Sequence, residues 1–489
     1  MNAVSCRRLL AGAGAAGLGA AALAACGDNK KSGDKEDRGD GVNDSADVIV
    51  VGAGLSGLCA ARELVRQGKK SLVLEARERV GGRMVRKSVI EDGWIDLGGQ
   101  WIGPTHVGVL ELADSLGVKH FDFYNKGRTT VDYGGTVSTI EDSFPPANPL
   151  PQVSPTDVAE ANRVWEEFQA MSRAVDADRP WMSAGAAELD AQTVSAWLAT
   201  ATQSEFARFS LKHRILNDLG GDPDAASMLF ALDAYAAGPD DEDPERWLFE
   251  GGAGQIPELL AKELGDIIRL GQPVSRIDQD ASAVTVTTSA GEYRAAYAIV
   301  ATPPYLAGAI DYNPPMPAQR LQFTQRAPMG SIIKFAAVYP TAWWRSKGLS
   351  GATVSDQPIL ATGDSSPPSG KPGILTGFAS GPDAVRLTGT SEEERKKVVL
   401  TAFVAYFGVD AASPAEFSEM NWPAEKWTGG AYNAILAPNT LMTYGPAIAE
   451  PVGRIHWAGA ESSLSRWTGY FEGAVQAGKS AAGAVIKRL

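Results

Sequence analysis

Cysteine is nearly absent: three occur in 489 residues, Cys6, Cys26 and Cys59. Two of them fall within the first 26 residues, so a disulfide framework does not hold this chain together. Histidine is as sparse. His106, His120, His213 and His456 form no Cys/His pair at metal-ligand spacing, which leaves each a structural or exposed side chain and excludes a metal site. Positive charge is short as well: 45 Lys and Arg against 58 Asp and Glu give a net charge of −13. Past the N-terminus the basic residues cluster only in short runs, such as those at Lys30-Lys31, Lys69-Lys70 and Lys396-Lys397. An acidic surface of this kind repels nucleic acid, and no nucleic-acid partner is expected. Strongly apolar runs are also missing. The longest apolar stretch, residues 9–25, is mostly Ala and Gly and falls short of the ~20 strongly apolar residues that span a bilayer.

That stretch follows Arg7-Arg8 and ends in "LAAC", so residues 1–25 read as a signal peptide. "LAAC" resembles the bacterial lipobox, which implies lipidation of Cys26. The paired arginines resemble a twin-arginine signal, with ordinary unfolded export as the alternative. Residues 26–46 are charged, rich in Gly and Asp and without apolar periodicity, and read as a disordered tether. The expected location is outside the bacterial cytoplasm, on the periplasmic or outer face, with the membrane reached only through the lipid on Cys26.

The full chain is 44% hydrophobic, and its remainder is long enough for two or three domains. Its first recognisable unit is "DVIVVGAGLSGL". The β-branched run at 48–51 reads as a strand buried on both faces, Gly52-Ala53-Gly54-Leu55-Ser56-Gly57 as a tight turn, and residues 58–67 as a helix. Gly52 permits the turn, Gly54 lets backbone approach a pyrophosphate, and Gly57 lets helix meet strand. The helix N-terminus then offers free N–H groups to the anion. A second strand, residues 71–74, ends at Glu75, where a carboxylate can accept ribose hydroxyls. A dinucleotide is the cofactor this pattern predicts.

"EARERVGGRM" follows directly, and from there the chain resembles the flavin-containing monoamine oxidase family. The likeness continues through "DLGGQWIGP", "GGAGQIPELLAKEL", "PVSRI", "MGSIIKFAAVY", "WTGGAYNAILAP", "IHWAGAES" and "WTGYFEGAVQAG". It implies an α/β chain: a Rossmann-type FAD-binding domain at 47–130, 250–322 and 426–489, and an α+β substrate domain at 131–249 and 323–425. It further implies FAD contacts from Glu75, Ala76, Arg77, Gly82, Arg83, Gly98, Gly99, Gln100, Trp101, Val274, Trp427, Glu461, Thr468 and Gly469, beside the turn residues. Tyr432 and Tyr470 would face each other before the flavin, and Lys334 would hold a water at its N5. Pattern alone leaves Lys334 open: amid apolar neighbours it snorkels, pairs or carries a lowered pKa. Where mammalian members carry a flavin-linking Cys, this chain has Ala431, so FAD is expected to be non-covalent.

The implied reaction converts a small-molecule amine to an imine, hydrolysed to aldehyde or ketone plus ammonia or an amine, with O2 reduced to H2O2. The alternatives are an L-amino-acid oxidase, with Arg128, Arg345 or another arginine on the substrate carboxylate, and a dehydrogenase using another electron acceptor. Elsewhere, residues 158–197 read as helices interrupted at Pro180, and 355–373 as a turn-rich loop at a sheet edge. The run Asp240-Asp241-Glu242-Asp243 reads as a solvated loop, with attraction of cationic diamines as its functional alternative.

Overall fold

Val48–Val51 are all but inaccessible because their strand is flanked on both sides. This strand, β1 (Val42–Val51), pairs in parallel with β2 (Ser71–Leu74) and with Gly291–Val300. In this computed structural model, residues 42–141, 144–148, 150–236, 244–463 and 467–489 are described. Residues 1–25, expected to be a signal peptide, Cys26 and the acidic run 240–243 lie outside them.

An eight-stranded mixed sheet runs in the order Ile268–Arg269, β2, β1, Gly291–Val300, Val284–Thr288, Val274–Gln279, Asp311–Asn313, with Ile455–Trp457 also pairing with Gly291–Val300. Helices α1 (Leu55–Arg66) and Phe471–Ile486 pack together on it, burying Leu58, Leu64, Val475 and Val485. A doubly covered parallel core of this kind is the expected α/β arrangement. β1 starts at Val42, five residues before Asp47. Residues 42–46 of the expected tether are therefore strand, because Gly291–Val300 extends far enough to give them ladder partners at Glu292–Ala295.

A second, seven-stranded sheet runs Glu416–Asn421, Ile332–Tyr339, Gly373–Ser380, Ala361–Asp364, Leu349–Ser355, Arg128–Tyr133, Thr136–Ile140. Ile332–Tyr339 lies between two antiparallel neighbours and is buried at every residue. The segment 355–373 is more than an edge loop: it contains Ala361–Asp364, paired on both sides near the centre of this sheet. Helices Pro155–Arg173, Val194–Ala201, Glu205–Leu219 and Met228–Ala236 bury their own apolar cluster, including Phe168, Trp197, Phe206 and Leu229, and the helical reading of 158–197 breaks at a short turn at Pro180–Met182. No helix among the described residues is long and apolar enough to cross a membrane.

Candidate active site

The turn after β1 is built as the glycine spacing requires. Gly52 has φ +101°, and a Cβ on Gly57 would sit 2.0 Å from the Gly52 carbonyl oxygen. Gly54 caps α1 with no side-chain hydrogen bond, and the space where its Cβ would be is open. The first amides of α1 thus face a cavity of about 300 Å³ with neither a cap nor a side chain in the way. At the end of β2, Glu75 is buried and accepts the amide of Ala53 at 2.7 Å and that of Arg77 at 2.9 Å. Ser56 accepts the Gly459 amide at 2.9 Å, tying the turn to the segment after Ile455–Trp457.

Two arginines flank this cavity. Arg77 donates to Thr428 Oγ1 and lies 3.6 Å from Glu425, while its Nε is buried without a partner. Arg83 grips Glu461 through two bonds, 2.5 and 2.9 Å, and donates to the Tyr432 carbonyl at 2.5 Å.

Lys334 enters from the second sheet. Ile333, Phe335 and Ala337 point to one cluster and Ala336 and Val338 to another, so strand alternation puts Lys334 on the side of Ile95 and Leu97. It is 2% exposed and donates to the Gly98 carbonyl at 2.7 Å and to Gln100 Oε1 at 2.5 Å. Its Nζ lies 5.3 Å from the Trp101 ring and 5.7 Å from that of Phe378. Burial pulls its pKa down to about 7, against the opposing charges of Asp96 and Glu245. The buried Asp96 is fixed by the amides of Ala253 (2.9 Å) and Gly254 (3.1 Å), and burial raises its pKa.

Tyr432 and Tyr470 are both half-buried and both line the cavity. Tyr432 meets Phe378 edge-on, centroids 6.3 Å apart. Tyr470, the N-cap of Phe471–Ile486, is framed by Trp467 (5.5 Å, 79°) and His106 (5.7 Å, 58°). His106 is buried, and burial lowers its pKa to about 4, so this side of the ring is uncharged at neutral pH.

The description "Flavin containing amine oxidoreductase" belongs to the family model that matches residues 55–486. The chain belongs to this family. Among its relatives, an L-amino acid dehydrogenase of Synechocystis sp. is 40% identical over 91% of this chain and 96% of its own length, and a flavin-containing amine oxidase A of Bos taurus is 34% identical over 91% and 85%. Among solved structures, cyclohexylamine oxidase from Brevibacterium oxydans superposes with TM-score 0.84 at 33% identity, covering 91% of this chain and 99% of that one. Putrescine oxidase bound to putrescine gives TM-score 0.83 at 30% identity over the same shares.

The cavity fits the FAD that a flavin-containing amine oxidoreductase binds: an uncapped helix start for a pyrophosphate, a fixed carboxylate at Glu75, and an arginine with an unpartnered buried Nε. Of the residues expected to contact FAD, Gly52, Gly54, Leu55, Ser56, Glu75, Ala76, Arg77, Gly82, Arg83, Gly98, Gly99, Val274, Trp427 and Gly469 line it, as do Lys334, Tyr432, Tyr470 and Ala431. Five expected residues do not. Gly57 is packed beneath Gly52, Gln100 and Trp101 surround the Lys334 ammonium, Glu461 is occupied by Arg83, and Thr468 turns its hydroxyl to the Ser463 carbonyl. Neither arginine named for a substrate carboxylate lines the cavity. Arg345 is held by Asp364 at 2.7 and 3.0 Å, and Arg128 is exposed and donates to the Lys347 carbonyl. Asp96 and His106 were missed as site residues, although both belong to the stretch "DLGGQWIGPTH" around motif residues Gly98 and Gly99.

Proposed function

We propose that this protein is an amine oxidase in which FAD is bound without a covalent link and is reoxidised by O2 to give H2O2. FAD, when bound, supplies the two-electron acceptor. The observation that carries the reading is the convergence of Lys334, Tyr432 and Tyr470 on one cavity. Two phenol rings form a slot that excludes water and orients a neutral amine. Lys334, with a pKa of about 7, is partly unprotonated at neutral pH. Its two N–H groups then serve Gly98 and Gln100, and its lone pair is free to hold a water at the cavity wall. Ala431 offers no thiol for a bond to the cofactor.

A second reading, oxidation of an L-amino acid with an acceptor other than oxygen, is favoured by the 40% identity to the Synechocystis dehydrogenase. Anaerobic addition of a panel of amines and their amino acids, read as bleaching of the flavin band, separates the substrates. Peroxide formed per turnover separates the acceptors. Failure of every amine to bleach the flavin refutes the first reading.

For location, we propose export in the folded, FAD-loaded state through the paired Arg7-Arg8 signal, followed by anchoring at lipidated Cys26. Replacing both arginines by lysine is expected to leave active holoenzyme in the cytoplasm, and unimpaired export of that variant would refute the route.

A further inference from the structure

Asp218 occupies a position where a carboxylate is unfavourable. It lies in the last turn of helix Glu205–Leu219, which carries no basic residue in that turn. The partial negative charge of the helix end opposes an anion there and favours a cation. Asp218 is exposed, accepts the Tyr235 hydroxyl at 2.5 Å and the Asn217 amide at 2.8 Å, and forms no ion pair among the described residues.

This helix end abuts the active site. The Gly220 carbonyl accepts the Ser331 amide at 3.0 Å, at the start of the strand that carries Lys334. A Cβ on Gly220 would lie 2.9 Å from the carbonyl oxygen of Ala431, the residue before Tyr432. Tyr235 stands on the neighbouring helix Met228–Ala236, braced edge-on by Phe168 at 5.3 Å and Trp165 at 5.7 Å. Its hydroxyl therefore aims the Asp218 carboxylate from a fixed ring. Burial raises the Tyr432 hydroxyl pKa, and the charges of Glu245 and Asp218 raise it further, so the carboxylate is felt at Tyr432.

We propose that Asp218, aimed by Tyr235, anchors a second positive charge on the substrate, so that the site prefers amines bearing a distal cationic group over amines with an apolar tail. This rests on the amine-oxidase reading above. An amine held between Tyr432 and Tyr470 reacts in its neutral form, so the carboxylate's partner is a different group, at the far end of the substrate.

The test compares cadaverine with hexylamine on the holoenzyme, by anaerobic flavin bleaching and by kcat/KM. In Asp218→Asn the ratio of kcat/KM for cadaverine to that for hexylamine is expected to fall roughly tenfold, mainly through KM. Asp218→Glu is expected to retain the preference. In the wild-type enzyme kcat/KM is expected to fall with salt more steeply for cadaverine than for hexylamine, a reading that needs no variant. An unchanged ratio in Asp218→Asn, or equal salt slopes in the wild type, overturns the anchor while leaving the amine-oxidase reading intact. Failure of cadaverine and hexylamine to bleach a wild-type flavin that other amines bleach overturns the anchor alone, and failure of every amine overturns both.

Discussion

Lys334 Nζ donates to the carbonyl oxygen of Gly98 at 2.7 Å, joining an inner strand of the second sheet to the loop that lines the cofactor cavity. An ammonium fully removed from water is costly, and the lowered pKa of about 7 expresses that cost. Below about pH 7 both folded and unfolded chains carry the proton, and the folded state bears the full cost. Between about pH 7 and the ordinary lysine value of ~10.4 only the unfolded chain still holds it, so stability rises with pH through that window. Lys334→Met removes this contribution. Thermal unfolding of the two proteins at a series of pH values is expected to give curves that diverge below about pH 10, the variant gaining relative to wild type as pH falls toward 7. Parallel curves would mean that Lys334 is not buried as a titrating amine.

Arg83 and Glu461 make a two-bond pair, with side-chain exposures of 22% and 5%. Removing one member strands the other charge beside the cavity, and breaking such a pair costs about 3 kcal/mol. Glu461→Ala is expected to lose about that much in chemical denaturation of the flavin-loaded protein. Arg83→Met combined with Glu461→Leu is expected to recover part of it, because no lone charge remains. A double variant no better than the single would show that packing, rather than charge pairing, fixes this corner.

Local physics made part of this molecule legible. The turn from Gly52 to Gly57 and the position of Glu75 follow from backbone sterics and strand length within some 25 residues. Lys334 was legible as a strand residue but not in direction, because a run buried on both faces has no polar alternation to mark a side. The segment 355–373 misled because its many Ser, Asp, Pro and Gly residues surround the short strand Ala361–Asp364, which itself contains Gly363. That glycine admits the Phe123 ring, which a Cβ there would meet at 3.3 Å. Asp218 gave no signal at all: its meaning depends on Ala431 and Tyr432, more than 200 residues away, which only the packing of Gly220 brings close.

Ala431 is 4% exposed and lines the cavity beside Tyr432. If FAD is held only by non-covalent contacts, acid denaturation of the wild-type protein is expected to release all of the yellow chromophore into the supernatant. Ala431→Cys places a thiol at the wall, and a fraction of its flavin is expected to stay with the precipitated protein. Flavin retained by the wild-type chain would contradict non-covalent binding.

Asp233, on helix Met228–Ala236, faces a small cavity that Glu461 and Thr468 also line. Its Oδ1 is sealed from solvent without a hydrogen-bond partner. Burial, followed by the charge of Asp176, raises its pKa to about 8. The folded state therefore holds a proton that the unfolded chain releases near pH 4, and this group's contribution to stability falls as pH rises from about 4 to about 8. Asp233→Asn keeps the shape and cannot ionise. Near pH 4 the two proteins are expected to unfold alike. By about pH 8 the variant is expected to be the more stable by at least about 1 kcal/mol, since one pKa unit corresponds to 1.36 kcal/mol. Unfolding midpoints that track each other across that range would mean that the carboxyl finds compensation when it ionises, and Asp233 would then be an ordinary surface-linked acid rather than a buried neutral one.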